Sequence, residues 1–327
     1  MQKPLTVVIP EHNEGAQIND TLDSLLSTSN PDLYDVIVVS DGSSVSVDLS
    51  GYGNVNHIVS PKRRGVGAAF DLGVSQAQSP HLIIMGSDMR FEDNDYMSKM
   101  LGHLEKEENE KSFICTTVKG TTPKSKSAYF GAKILFWLTA DDLPKNGITM
   151  RNLKKIGAVS RFKNILESKW RNPEERDFYE IPCVLGAFYG VRKEWYDHIE
   201  GFKGHRYWGT LEPFISTKSW FAGGACKLDK SIITKHIFKV RPSHKTSDID
   251  RLFNKLMATE ILFDDNIKEK LLDFIAEDEN LSTARAIFAD RESQIAQYKE
   301  DFRKVKVRNL AWFNDRWGVK YYDSICG

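Results

Sequence analysis

The chain has 327 residues, 41% of them hydrophobic and 28% charged, and Lys+Arg 45 balances Asp+Glu 45. That length accommodates one large α/β domain with an appendage or two modest domains, and the composition excludes a disordered, fibrous or disulfide-stapled protein. The cancelled net charge excludes a wholly basic nucleic-acid protein while leaving room for local asymmetry.

Met1-Gln2-Lys3-Pro4 runs directly into a strand-like segment, and no apolar stretch reaches signal-peptide or membrane-spanning length. The expectation is a soluble, cytoplasmic protein with no membrane contact. Cys115, Cys183, Cys226 and Cys326 lack CxxC spacing and read as free, buried thiols.

The first ~115 residues alternate short apolar runs with helical patterns, as parallel strands joined by crossover helices do. Residues 5–10 (LTVVIP), 36–40 (VIVVS), 57–60 and 81–85 (HLIIM) are continuous apolar or β-branched runs, the pattern of strands covered on both faces. Ile18, Leu22, Leu25 and Leu26 repeat at helical spacing after the first run, and residues 66–77 read as a helix before the fourth. Residues 119–171 carry twelve Lys or Arg against Asp141, Asp142 and Glu167, a local net charge of +9. An apolar run at 184–191, a Gly- and aromatic-rich stretch at 201–224 and two short strand candidates ending near His236 follow. Beyond ~Ser247 the pattern is helical, so the chain divides into 1–246, with 119–171 as a basic insert, and a helical subdomain 247–327.

In open parallel sheets ligands bind beyond the carboxyl ends of the strands. Those ends carry Pro10-Glu11-His12-Asn13-Glu14, Ser40-Asp41-Gly42-Ser43, Lys62-Arg63-Arg64-Gly65 and Gly86-Ser87-Asp88. Together they offer acceptors for a base and ribose, cations for a diphosphate and a carboxylate for a divalent ion. A hard cation bridging two phosphates prefers oxygen ligands and stabilises charge on a departing diphosphate, which gives a strand-end Asp a chemical purpose. An isolated strand-end Asp is also often only the cap of the next helix.

VVIPEHNE, VVSDGS and IIMGSDM, in this order, resemble the amino-terminal half of the GT-A glycosyltransferases, particularly family 2 and the polypeptide N-acetylgalactosaminyltransferases. The resemblance extends through the Val184–Val191 run, Tyr207-Trp208-Gly209-Thr210-Leu211-Glu212 and Lys235-His236-Ile237-Phe238-Lys239, covering roughly Leu5 to Arg241. It implies an α/β fold with a Rossmann-like nucleotide-sugar-binding domain, a mostly parallel central sheet and a carboxyl-terminal helical extension. It further implies that Asp88 and His236 hold a divalent metal, Mn²⁺ before Mg²⁺, since Mn²⁺ tolerates mixed nitrogen and oxygen ligands. Gly86 stands where the family usually has a further Asp, leaving a sparse site that tightens only with donor.

Pro10, Glu11, Asp41 and Ser87 match positions around a donor, expected to be UDP-linked. Arg64, Lys239 and Arg241 match its phosphate contacts, a guanidinium being able to grip two oxygens. Glu212, one residue past the family's usual acidic position, could serve as general base or stabilise a cationic sugar; the competing reading is that Glu212-Pro213 simply open the next helix. The basic insert fits an anionic acceptor, and interleaved aromatics fit a nucleic-acid strand read by Lys154, Lys155, Arg161 and Trp170. A hydroxylated DNA base, as in viral enzymes that add sugars to their own DNA in the host cytoplasm, is the favoured acceptor. A protein or glycan hydroxyl, a nucleotidyltransferase and an inactive nucleotide-sugar-binding module are the alternatives, and oligomeric state is left open.

Overall fold

The structure, a computed structural model, describes residues 2–92, 95–121, 128–135, 166–238, 247–274 and 279–318. Its first strands are β1 (Leu5–Glu11), β2 (Tyr34–Asp41), β3 (Val55–Ser60) and β4 (His81–Met85), followed by β5 (Met89–Arg90) and β6 (Ser112–Gly120). Then come β7 (Ala128–Tyr129), β8 (Ala132–Leu135), β9 (Glu167–Trp170), β10 (Phe178–Glu180), β11 (Phe188–Arg192) and β12 (Ala225–His236). The central sheet runs β10-β12-β6-β11-β4-β1-β2-β3, with β5 beside β12 and β7 beside β6, while β8 and β9 form a separate ribbon. The β4-β1-β2-β3 half and the β6–β12 pair are parallel, and β11 and β10 run antiparallel to their neighbours. The expected mostly parallel GT-A-like sheet is what forms.

Successive strand residues face opposite sides of a sheet, so the apolar runs must feed two cores. Val8, Ile37, Val39, Leu82 and Ile84 pack with Ala69, Phe70 and Val74 of helix α2 (Val66–Gln76), after helix α1 (Gln17–Ser27). Val7, Ile9, Val36, Val38, Ile83 and Met85 face the other side, against Ile18, Leu22 and Leu25 of α1 and Met97, Met100 and Leu104 of α3 (Tyr96–Leu104).

Two expectations change in detail. Of the apolar run 184–191, only Phe188 onward is strand; Ala187 has φ 143 and its carbonyl accepts from Gly86 N at 2.8 Å, so the preceding residues turn beneath the end of β4. The two late strand candidates form one strand, β12, whose register with β6 shifts between Asp229 and Ile233. There Asp229 Oδ1 accepts from Ser231 N and Oγ, replacing lost ladder bonds.

Helices α4 (Lys193–His198) and α5 (Leu211–Phe221) precede β12. The helical tail comprises α6 (Asp248–Leu262), α7 (Asp265–Phe274), α8 (Leu281–Ala289), α9 (Glu292–Val305) and α10 (Leu310–Trp317). Leu252, Phe253, Leu256, Met257 and Phe313 belong to the same core cluster as the α2 face of the sheet, so among the described residues tail and sheet share one core. Trp312 and Trp317 sit 5.8 and 5.5 Å from Trp220, and Arg308 donates to the carbonyls of Trp220 and Gly224. These contacts give the tail's aromatic end a bracing role. No helix of the described residues is long and apolar enough to cross a membrane. Cys115, Cys183 and Cys226 are buried and free, and burial pushes their thiols up; Cys326 lies outside the described residues.

Candidate active site

The registers bring the strand ends level: Glu11 pairs with Ser40, Asp41 with Ser60, and Val8 with Ile84, so β1, β2 and β4 finish along one edge. At that edge is a cavity of about 650 Å³, within the range of ligand sites. Its lining includes Pro10, Glu11, Asp41, Ser87, Asp88, Glu212, His236 and Trp170, all singled out from the sequence.

Asp88 and His236 are 148 positions apart in sequence, yet His236 Nε2 lies 3.2 Å from Asp88 Oδ1. The two-residue β5 causes this: it pairs antiparallel with β12, His236 opposite Met89, and Ile237 N donates to the Asp88 carbonyl at 3.0 Å. Two ligands about 2.1 Å from one ion at right angles lie about 3.0 Å apart, so this imidazole–carboxylate pair fits a divalent cation. Among the described residues no third His, Cys, Asp or Glu joins the pair, in keeping with Gly86 at the position of the usual companion. His236 Nδ1 is buried without a hydrogen-bond partner among the described residues, so none of them supplies the carboxylate or carbonyl acceptor that orients a metal-ligating histidine through its other ring nitrogen.

Glu212 lies in the first turn of α5, as expected of a helix-opening acid, and it also reaches the cavity. Desolvation raises its pKa, Glu167 pushes in the same direction, and His236 opposes them. Its carboxylate fits because residue 186 is glycine: a Cβ there would stand 2.1 Å from Glu212 Oε1 and 2.7 Å from its Cδ. Gly186→Ala is therefore expected to displace this carboxylate, and misplacing a reacting group by about 1 Å can cost on the order of a hundredfold in rate. Turnover at least tenfold lower with an unchanged melting temperature is the expected outcome; unchanged turnover would detach Glu212 from the chemistry.

Asp41 has a structural duty that the sequence reading did not foresee. Its Oδ1 and Oδ2 accept from the amides of Arg64 and Gly65, both at 2.7 Å, binding the start of α2 to the end of β2. Gly65 has φ +106, and a Cβ there would stand 2.2 Å from Tyr207 N, so this loop can lie against the 207 segment only with glycine. Asp41 stays on the cavity wall with lone pairs to spare. Glu11 is likewise buried and tied, accepting from Ser43 Oγ at 2.7 Å.

Arg64 does not line this cavity; it lines a neighbouring hollow, and the adjacent Arg63 lines both. The chain turns between them while Asp41 holds the Arg64 amide. Lys239, Arg241, Lys154, Lys155 and Arg161 lie outside the described residues.

Several residues without a distinguishing sequence signal are brought in by the fold. Arg251 of α6 and Glu167 of β9 line the cavity, and Glu167 Oε1 accepts from Lys255 at 2.7 Å and contacts Arg251 at 3.3 Å. Lys255 is buried, and desolvation lowers its pKa to about 8 despite Glu167. Asn254 Nδ2 donates to the carbonyls of Arg206, Trp208 and Gly209, and its Oδ1 accepts from Arg206 N, pinning the loop from which α5 starts. Tyr207 and Thr210 in this loop have positive φ, a cost near 1 kcal/mol or more each that such anchoring offsets. In the sequence Arg251, Asn254 and Lys255 look like ordinary positions of an amphipathic helix. At the rim, Trp170, Trp208 and Phe238 are exposed.

The sequence pattern described as Glycosyl transferase family 2 matches residues 6–199. No curated protein matches the chain in sequence. Among solved structures, GalNAc-T7 with UDP, GalNAc and Mn²⁺ is similar at TM-score 0.69 and 16% identity, covering 98% of this chain and 58% of that one. S. aureus TarS 1-349 is similar at TM-score 0.51 and 13% identity, covering 94% and 81%, and its complex with UDP-GlcNAc matches at the same score. At such identities the structural likeness speaks for the fold, and this chain spans little more than half of GalNAc-T7. The family pattern covers more than half of the present sequence, and the chain belongs to glycosyl transferase family 2.

Proposed function

We propose that this glycosyltransferase moves a sugar from a nucleoside-diphosphate sugar, UDP-linked by preference, to a hydroxyl on an anionic polymer, with a divalent metal at Asp88 and His236. The observation that carries the reading is the convergence of the 3.2 Å Asp88–His236 contact, the desolvated Glu212 and the strand ends on one cavity. The UDP and Mn²⁺ present in the structure of the similar GalNAc-T7 support it.

In this reading the bond between the sugar's anomeric carbon and the diphosphate oxygen breaks, a bond to the acceptor oxygen forms, and the nucleoside diphosphate leaves with the bonding pair. Glu212 takes the hydroxyl proton if the configuration inverts; if it is retained, Glu212 stabilises positive charge on the sugar and the proton passes to the departing diphosphate oxygen, while a raised pKa suits proton acceptance near neutrality. A bound Mn²⁺ or Mg²⁺ would neutralise charge on the departing diphosphate. Pro10, Asp41 and Ser87 frame the nucleoside, Arg63 and Arg251 supply cations on the cavity wall, and the exposed Trp170, Trp208 and Phe238 face an incoming acceptor. Aromatic faces at the mouth favour a planar group such as a hydroxylated DNA base, each base stack contributing about 1–3 kcal/mol. A protein or glycan hydroxyl is the competing acceptor.

Thermal denaturation with UDP, GDP and CMP, each with and without Mn²⁺, tests the donor. Saturation at about 100 times Kd stabilises a fold by about 2.7 kcal/mol, a shift of several degrees. Stabilisation by a nucleoside diphosphate that is clearly greater in the presence of metal is expected, and no shift with any of them would refute the reading.

A further inference from the structure

A second hollow, of about 680 Å³, adjoins the cavity and shares Arg63 and Tyr207 with it. Three separate parts of the chain bring cations to it: Lys62, Arg63 and Arg64 before α2, Lys203 and Arg206 before α5, and Arg291 at the start of α9. Lys203 is paired with Glu200, and Arg206 with Asp250. Among the described residues no carboxylate lies within ion-pair distance of Lys62, Arg63, Arg64 or Arg291. Asp71, also in the lining, is turned to the interior, its Oδ1 accepting from Tyr196 Oη at 2.6 Å and Phe202 N at 2.9 Å. Three consecutive cations, Lys62, Arg63 and Arg64, meet Arg291 from the helical tail without counter-ions among the described residues and repel one another, an arrangement that an anion relieves.

We propose that this hollow is a phosphate-binding subsite that holds the backbone of a phosphodiester acceptor while the neighbouring unit enters the catalytic cavity. It rests on the reading of an anionic acceptor and assigns the gripping surface to residues outside the basic insert. The hollow reads charge and not bases: the Arg63 and Arg206 guanidiniums lie 5.0 and 4.7 Å from the centroid of Tyr207, so that ring is already engaged by cations. Base stacking is left to Trp170 and Phe238 at the cavity mouth.

The test titrates a single-stranded DNA oligomer, and an abasic phosphodiester of equal length, into metal-free full-length protein at several salt concentrations. With four contacts at about −0.7 each, log affinity against log salt is expected to fall with a slope of about −3 for both. The Lys62→Glu/Arg291→Glu variant, whose two positions lie outside the catalytic cavity, is expected to bind both oligomers at least tenfold more weakly with a slope near −1.4. Its UDP–Mn²⁺ affinity should equal that of the unaltered chain, and Lys62→Gln/Arg291→Gln should fall between the two. The proposal is overturned if the charge-reversed variant binds both oligomers normally, if UDP–Mn²⁺ displaces the abasic oligomer, or if only the base-bearing strand binds. If oligomers bind as stated but no nucleotide does, the subsite stands and the donor reading fails.

Discussion

Asp88→Ala is expected to abolish the metal-dependent part of donor binding and, with it, nearly all transfer activity. The site has one carboxylate and one imidazole in contact, 3.2 Å apart, and no third His, Cys, Asp or Glu among the described residues to take over. Altering residues that merely support a metal ligand costs about 10–100-fold, so removing one of two ligands should cost about a hundredfold or more in UDP affinity with Mn²⁺ present. Affinity for UDP without metal should stay the same, because Pro10, Asp41 and Ser87 are untouched. His236→Ala should reproduce the loss; the polar contact it removes is the one to Asp88 itself, since its Nδ1 has no partner among the described residues. Calorimetric titration of each variant with UDP, with and without Mn²⁺, checks this, and metal dependence surviving in both would move the metal elsewhere.

Glu212→Gln should lower kcat by about 10²–10⁴, the usual contribution of a positioned proton-transfer group, with little change in the KM for donor. The acid limb of the kcat/KM profile should lie above the ordinary carboxylate range, because desolvation and Glu167 hold the acid form. That limb should be missing from the residual activity of the variant. Stability provides an independent readout. A carboxyl whose folded pKa is raised favours the protonated state, so its contribution is greatest in acid and is lost as pH climbs from the ordinary value through the raised one. Gln, which cannot ionise, should therefore leave the fold as stable as before or slightly more stable at neutral pH. If turnover stays within a factor of three while stability drops, Glu212 serves only to open α5.

Much of the fold was legible because long apolar runs leave few alternatives. LTVVIP, VIVVS and HLIIM have the continuous apolar pattern of strands covered on both faces, as in a parallel sheet, and the polar residues after them are where such sheets bind ligands. The order of VVIPEHNE, VVSDGS and IIMGSDM then indicated the family. The extent of β11 and the continuity of β12 were less legible: an apolar run does not reveal where the ladder begins, nor does a polar stretch reveal a bulge bridged by Asp229. That Arg63 reaches the cavity while Arg64 lines the neighbouring hollow depends on the direction of a turn held by Asp41, which adjacent cations in a sequence do not reveal.

By itself, then, the sequence determined the strands of the sheet and the strand-end position of Asp88, because periodicity and strand-end chemistry are local properties, while His236 and Glu212 became candidates only through the family resemblance. Only the tertiary structure decided that β5 carries Asp88 to His236, that Gly186 leaves room for Glu212, and that Arg251, Asn254 and Lys255 of the helical tail complete the wall and its support. Those facts depend on contacts between segments tens to more than a hundred residues apart. No local pattern encodes them, because an amphipathic helix looks the same in sequence whether its polar residues meet water or an active site.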